Sequence, residues 1–306
     1  MTAFDVVGLG VSVIDIVQLV DHFPAKEEVQ RAEEMTIQGG GPVATAMVTL
    51  SRLGARVAML DVLGDDWRGR LIREGLREEG VCTDYIRQRA GCTSSLASIL
   101  VARKNGARTI VYTPGTTPEL TPAELPRAVI ESARFLHLNG RHWEACLQAA
   151  AWARESDAGV KVSFDGGAHR FRPELRQLVP LVDICIVARD FAEHYAGEMD
   201  IRTAAAVLVE QGPQVVVITD GVRGSWVLKR GGKIFHQPAY LLPKVVDTTG
   251  CGDSYHGAFL FGLLRGMELA QTAAFASAVA ALNSQQLGGR RGLPTLRQVK
   301  AFLSQV

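Results

Sequence analysis

The chain has 306 residues with 33 Lys plus Arg against 32 Asp plus Glu, so no overall field favours nucleic acid or an anionic membrane surface as partner. Its 47% hydrophobic and 21% charged content suits a globular chain that buries a sizeable core. Five cysteines without a C-x-x-C pair fit reduced thiols, and no secretory pattern or membrane-length apolar run is present, so a cytoplasmic protein is expected.

Phe4 to Gly10 is an apolar run ending in glycines, the pattern of a buried strand. Gly8 and Gly10 resemble the start of a dinucleotide fingerprint, but Val13 stands where the third glycine belongs. Ser12 to Val20 then alternates as a strand instead of opening a helix, which excludes a Rossmann cofactor site. Asp15 lies in that second strand among apolar neighbours. Glu33 to Gln38 reads as another strand and leads into Gly39-Gly40-Gly41-Pro42. A small-residue helix, Val43 to Leu53, follows and stops at Gly54; three glycines before it allow a ligand close to a helix N-terminus.

Arg56 to Leu63 is strand-like, and Gly64-Asp65-Asp66-Trp67 opens an amphipathic helix running to Gly80. Cys92 to Val101 and Arg108 to Thr113 are β-type runs around Lys104-Asn105-Gly106, an Asn-Gly hairpin signal. With the two earlier strands they predict a small sheet apart from the main one.

From Ala133 the pattern alternates strand and helix: Phe135 to Leu138, Trp143 to Ser156, Val160 to Phe164, Asp183 to Val187 and Gln214 to Thr219. Such alternation predicts a doubly wound, mainly parallel sheet with ligands at the carboxyl ends of its strands. Arg141 sits just past one strand end, either as a solvated arginine or as a fork for an anionic substituent. Thr219 to Ser225 is a glycine turn, followed by a hairpin of Trp226 to Leu228 and Lys233 to His236. Gln271 to Leu282 is an alanine-rich helix continuing to Asn283, with Gly288 to Pro294 (GGRRGLP) beyond it. The seven histidines show no zinc-motif spacing, and His256 reads as a packed helix residue.

The densest signal is Lys244 to Phe261, KVVDTTGCGDSYHGAFLF. Val245-Val246 reads as a strand end, Gly250-Cys251-Gly252 as a turn, and Tyr255, Ala258, Phe259 and Phe261 mark a helix. The turn would point backbone N–H groups outward at the positive end of the helix, a site for phosphate. Asp253 there is either an N-cap or a base that takes a proton from a hydroxyl.

Asp247 to Tyr255 closely resembles the C-terminal signature DTTGAGD of the ribokinase-like (PfkB) carbohydrate kinases, with Cys251 at the usual alanine. The glycine pair before Pro42, the segment Gly64, Asp66, Gly69, and the turn Thr219, Gly221, Gly224 resemble further family segments, so the likeness covers essentially the whole chain. It implies a single ribokinase-like domain over 1–306, with a β lid built from about 12–38 and 92–113. It also implies ATP and Mg2+ as cofactors and a sugar as substrate. Asp253 would be the catalytic base, with the amides of Gly250, Cys251 and Gly252 as the anion hole. Asp15, Gly39, Gly40 and Gly41 would hold the sugar, joined by Arg141; Thr219, Gly221, Gly224 and Asn283 would serve the nucleotide. Asp247 and Thr249 would hold a monovalent cation such as K+, and the lid would pair two copies in a homodimer.

The chain departs from the family at two places. Pro42, Val43 and Ala44 occupy a region where an asparagine is usual, and Ala188 and Phe191 replace the N-x-x-E pair that organises Mg2+ waters. The resemblance favours a ketohexose-like sugar or derivative. Sulfofructose is an alternative, against which Val29 and Tyr112 stand where a lysine and an asparagine are expected. A nucleoside kinase is a further alternative, as is a catalytically impaired sugar- or nucleotide-binding regulator.

Overall fold

The computed structural model describes residues 4–306. Its strands are β1 (Val6–Leu9), β2 (Val13–Val20), β3 (Glu34–Gly40), β4 (Val57–Gly64), β5 (Ile86–Arg89), β6 (Leu96–Ala102), β7 (Arg108–Thr113), β8 (Phe135–Leu138), β9 (Lys161–Gly166), β10 (Ile184–Ala188), β11 (Val215–Thr219), β12 (Ser225–Lys229) and β13 (Phe235–Gln237). Nine of them form one sheet in the order β13-β12-β11-β10-β9-β8-β1-β4-β5. It is parallel from β11 to β5, and β12 and β13 close one edge antiparallel.

Helices cover both faces. On one lie α1 (Pro42–Leu53) and α2 (Trp67–Glu78). The other carries α3 (Arg127–Glu131), α4 (Trp143–Glu155), α5 (Leu175–Leu178), α6 (Arg189–Ala196) and α7 (Ile201–Glu210). The chain then returns to the first face with α8 (Cys251–Leu264), α9 (Leu269–Asn283) and α10 (Leu296–Leu303). Two-sided burial is why β1, β10 and β11 read as unbroken apolar runs rather than alternating ones.

The chain enters the sheet at β1, adds β4 and β5 on one side, and β8 to β11 on the other. The strand order therefore reverses between β1 and β8, and ligands bind outside the carboxyl ends of strands at such a point. The glycines of β1 serve packing, not a cofactor: a Cβ on Gly8 would meet Val43 Cγ1 of α1 at 2.7 Å and Met47 at 2.9 Å. α1 thus lies directly on β1, and its own glycine-rich entry is held at the switch point.

The remaining four strands make a second sheet, ordered β3-β2-β6-β7, over the carboxyl ends of the first. β6 and β7 pair antiparallel around the Asn105-Gly106 turn, and Gly106 takes φ +66° there. One predicted strand is absent. Val245 and Val246 pair with no strand; Val246 N–H donates instead to Ser284 O at 2.8 Å, tying the signature segment to the end of α9. The short edge strand β5 and the helices α6, α7 and α10 lie outside the elements drawn from the sequence.

Candidate active site

Asp253 stands in the first turn of α8, whose N-cap Gly250 takes the left-handed conformation at φ +71°. A side chain at Gly250 would be strained by that φ and would strike the backbone of Gly289, at 2.6 Å from its carbonyl. The Cys251 amide is already turned onto Thr248 O at 3.3 Å. The amides of Gly250, Gly252 and Asp253 have no such bond, so they remain free as donors for the expected anion hole. The Cys251 side chain faces away, its Sγ donating to Ala280 O at 3.4 Å, and burial pushes its thiol up to about 12.

Asp247 is wholly buried and anchors the turn. Its two oxygens accept from Thr249 N at 2.7 Å and Gly288 N at 2.8 Å, which joins the signature to the GGRRGLP segment. Thr249 Oγ1 is buried without a partner, the orphan that a monovalent cation would satisfy, so this pair fits the expected cation. Asn283 donates to Gly289 O at 3.0 Å and leaves its own Oδ1 unpaired, at the expected margin of the nucleotide site.

Asp15, in β2, is buried and packs against Gly40, which has no space for a Cβ because the carboxylate fills it. Burial lifts the Asp15 carboxyl to about 7; Arg290 opposes that shift, while Asp253 and Asp247 add to it. The two carboxylates, 238 positions apart in the chain, are thus within electrostatic reach across the switch point. The Asp253 carboxyl is also raised, by burial first and by the charge on Asp165 second, with Arg170, His256 and Arg108 pulling the other way.

Arg290 is a site residue that the sequence reading passed over. It is buried, and donates to Gly40 O at 2.7 Å and to Thr45 Oγ1 at 3.1 Å. Gly39 lacks room for a Cβ for the same reason, because the Arg290 guanidinium lies against it. The signal present in the sequence was a double arginine inside a glycine loop. Arg108 of β7 was also passed over, and donates to Thr248 Oγ1 at 3.0 Å. With Thr248 Oγ1 donating to Gly106 O at 3.1 Å, it lays the hairpin of the small sheet onto the signature turn.

Gly41 completes the glycine entry as the N-cap of α1, at φ +91°. Thr219 ends β11 beside Ala188, and Gly221 and Gly224 bracket the turn after it at φ +55° and +94°. Arg141, just past the end of β8, is part-exposed and forms an ion pair with Glu119 at 3.0 Å.

The Mg2+-organising position does not fit its expected role. Phe191 is fully buried and packs against Phe164 and Phe171 at ring separations of 5.7 and 5.6 Å, so no side-chain oxygen is offered there. Nearby, Arg189 pairs with Glu193 at 2.7 Å and Asp220 at 3.2 Å. A cavity of about 600 Å3 opens between α9 and α10, lined by Leu282, Gln286, Arg291 and Phe302. Thr219, Gly221 and Gly224 do not line it.

His256 is a buried helix residue, as read, but it is not packed against apolar neighbours alone. It faces Asp165 of β9 and His137 of β8. Burial holds both imidazoles neutral, with His137 lowered to about 3 and His256 to about 4.

An α/β sheet with a glycine turn, an acid at a helix N-terminus and a second sheet over its carboxyl edge defines a ribokinase-like phosphotransferase. The chain belongs to the pfkB family of carbohydrate kinases, whose model matches residues 3–296, and it is an ATP-dependent sugar kinase. It is 29% identical to 5-dehydro-2-deoxygluconokinase of Shouchella clausii over 99% of this chain and 96% of that one. It is 24% identical to mouse ketohexokinase, over 89% and 93% of the two chains. The crystal structure of ribokinase from Thermotoga maritima superposes with a TM-score of 0.84 at 26% identity, covering 98% of this chain and 99% of that one. Among the described residues, no helix is long and apolar enough to cross a membrane.

Proposed function

We propose that this kinase transfers the γ-phosphoryl group of ATP to a primary hydroxyl of a ketohexose-like sugar or sugar derivative. The observation that carries the reading is the head of α8, where the free amides of Gly252 and Asp253 adjoin the Asp253 carboxylate. Donors fixed by the fold cost no reorganisation when charge builds on the phosphoryl oxygens, and the helix dipole adds to them. Asp253 takes the proton of the attacking hydroxyl; its raised pKa moves its basicity toward neutral pH, where a general base is most effective. Asp15 accepts from sugar hydroxyls, and the Gly39 to Gly41 backbone borders them closely. Mg2+ would come bound to the phosphates of ATP, and Ala188 and Phe191 supply no side-chain oxygen to organise its waters.

The sugar class rests on likeness to relatives that act on ketohexoses and a dehydro-deoxygluconate. Arg290 adds a buried cation beside Asp15 that suits an oxygen-rich or anionic substituent. The test is ATP turnover with Mg2+ and K+ against ketohexoses, keto sugar acids, sulfofructose, aldoses and nucleosides, beside Asp253→Ala. A ketohexose or keto sugar acid should give the highest kcat/KM, and the variant should lose roughly 100-fold or more in kcat. Selective turnover of a nucleoside overturns the sugar class. Binding of sugar or ATP with no turnover on any acceptor points to a regulator.

A further inference from the structure

We propose that His137, Asp165 and His256 form a binding site for a divalent ion of the zinc class, beside the catalytic carboxylate and separate from the Mg2+ that arrives with ATP. The pleat of the sheet builds it. His137 of β8 is in register with Ser163 of β9, and Asp165 follows two residues later, so all three project to one face. That face is otherwise apolar and is covered by α8, which contributes His256. All three residues of the cluster are buried, with exposures of 0%, 1% and 3%.

What sets the cluster apart is its unmet bonding. His137 Nε2, both oxygens of Asp165 and His256 Nδ1 are buried with no hydrogen-bond partner. Each such atom costs about 1–3 kcal/mol, so four together in a native core call for an occupant. The nearest help for Asp165 comes from the Gly167 amide and from Arg170, whose Nη1 is 4.0 Å away, too far for a hydrogen bond. His256 Nε2 is 3.7 Å from Asp165 Oδ1, also beyond bonding range.

The geometry suits a metal. One ligand atom from each residue lies within 4.8 Å of the others, and modest rotamer shifts bring them to the ~2.0–2.2 Å that nitrogen and oxygen ligands of zinc adopt. His137 Nδ1 is held by Ser163 Oγ at 3.1 Å, the outer-shell bond that fixes a ligating imidazole and frees Nε2. Two imidazoles with one carboxylate favour zinc and its neighbours, whereas Mg2+ and Ca2+ prefer oxygen alone. Three protein ligands leave one position open, as in metal sites that retain a water. Arg170, 44% exposed at its side chain, leads from Asp165 toward solvent and marks the entry path.

The experiment is metal binding by the full chain, independent of any kinase assay. Protein stripped with a chelator is dialysed against Zn2+ alone, its metal content is measured, and Co2+ is added separately as a spectroscopic probe. The expected result is one Zn2+ per chain, a visible Co2+ spectrum with nitrogen ligation, and a higher Tm with Zn2+. His256→Gln and His137→Gln, checked for folding by circular dichroism, should each weaken Zn2+ binding by roughly tenfold or more. If either fails to fold, X-ray absorption of the zinc-loaded natural chain reads the ligands directly, with two imidazoles expected. Absence of Zn2+ binding, binding unchanged in folded variants, or sulfur ligation overturns the site and leaves ordered water as the occupant.

Discussion

Asp15 shows how the fold sets one residue's chemistry against its ordinary behaviour. Its carboxyl is moved from 3.8 to about 7, chiefly because burial penalises the charged form. Between those values the folded chain holds a proton that the unfolded chain has released. The stability this group contributes is therefore complete below about pH 4 and is lost as the pH rises through about 7. The full span corresponds to roughly 4 kcal/mol at most. Asp15→Asn should flatten that slope, so urea denaturation at pH 5 and pH 8 should differ less in the variant than in the natural chain. Equal pH dependence in the two would mean that Asp15 is ionised throughout.

At the scale of elements, the site depends on how closely α8 lies on α1. Gly257 of α8 permits that approach, because a Cβ there would meet Ala46 O of α1 at 2.5 Å and Thr49 Cβ at 2.9 Å. The same contact holds the head of α8, with Asp253, near the glycine entry of α1. Gly257→Ala should cost roughly 1–3 kcal/mol by overpacking, seen as a lower Tm. It should also lower kcat, because Asp253 moves with its helix. An unchanged Tm would show that the two helices slide apart without penalty.

At the scale of the whole molecule, the small sheet is both cover and surface. Its inner contacts, Arg108 and Gly106 on Thr248, lay the hairpin onto the signature turn. Its outer face exposes Met35, Ile37 and Val111, and Val111 keeps 65% of its surface in solvent. An apolar sheet face of this kind in a homo-oligomer pairs most simply with its own copy, and we expect a homodimer through it. Light scattering should give twice the chain mass, and Val111→Glu should give the monomer. A monomeric natural chain at micromolar concentration removes this expectation.

By itself the sequence determined the parallel sheet, the hairpin sheet and the acid at the head of α8. These are written in local periodicity and glycine placement, which act over a few residues. It also carried hints that local reading could not assemble. His137, Ser163 and Asp165 are polar positions on one face of otherwise apolar strands, and Arg290 is a charge in a glycine loop. Only the tertiary structure decided that Arg290 meets Asp15, that Arg141 turns to Glu119, and that Val245-Val246 joins no sheet. It alone brought two histidines and an aspartate from two neighbouring strands and a helix into one buried cluster. The physical reason is range: secondary structure follows from neighbours in the chain, while charge pairing and ligand geometry depend on which elements pack together.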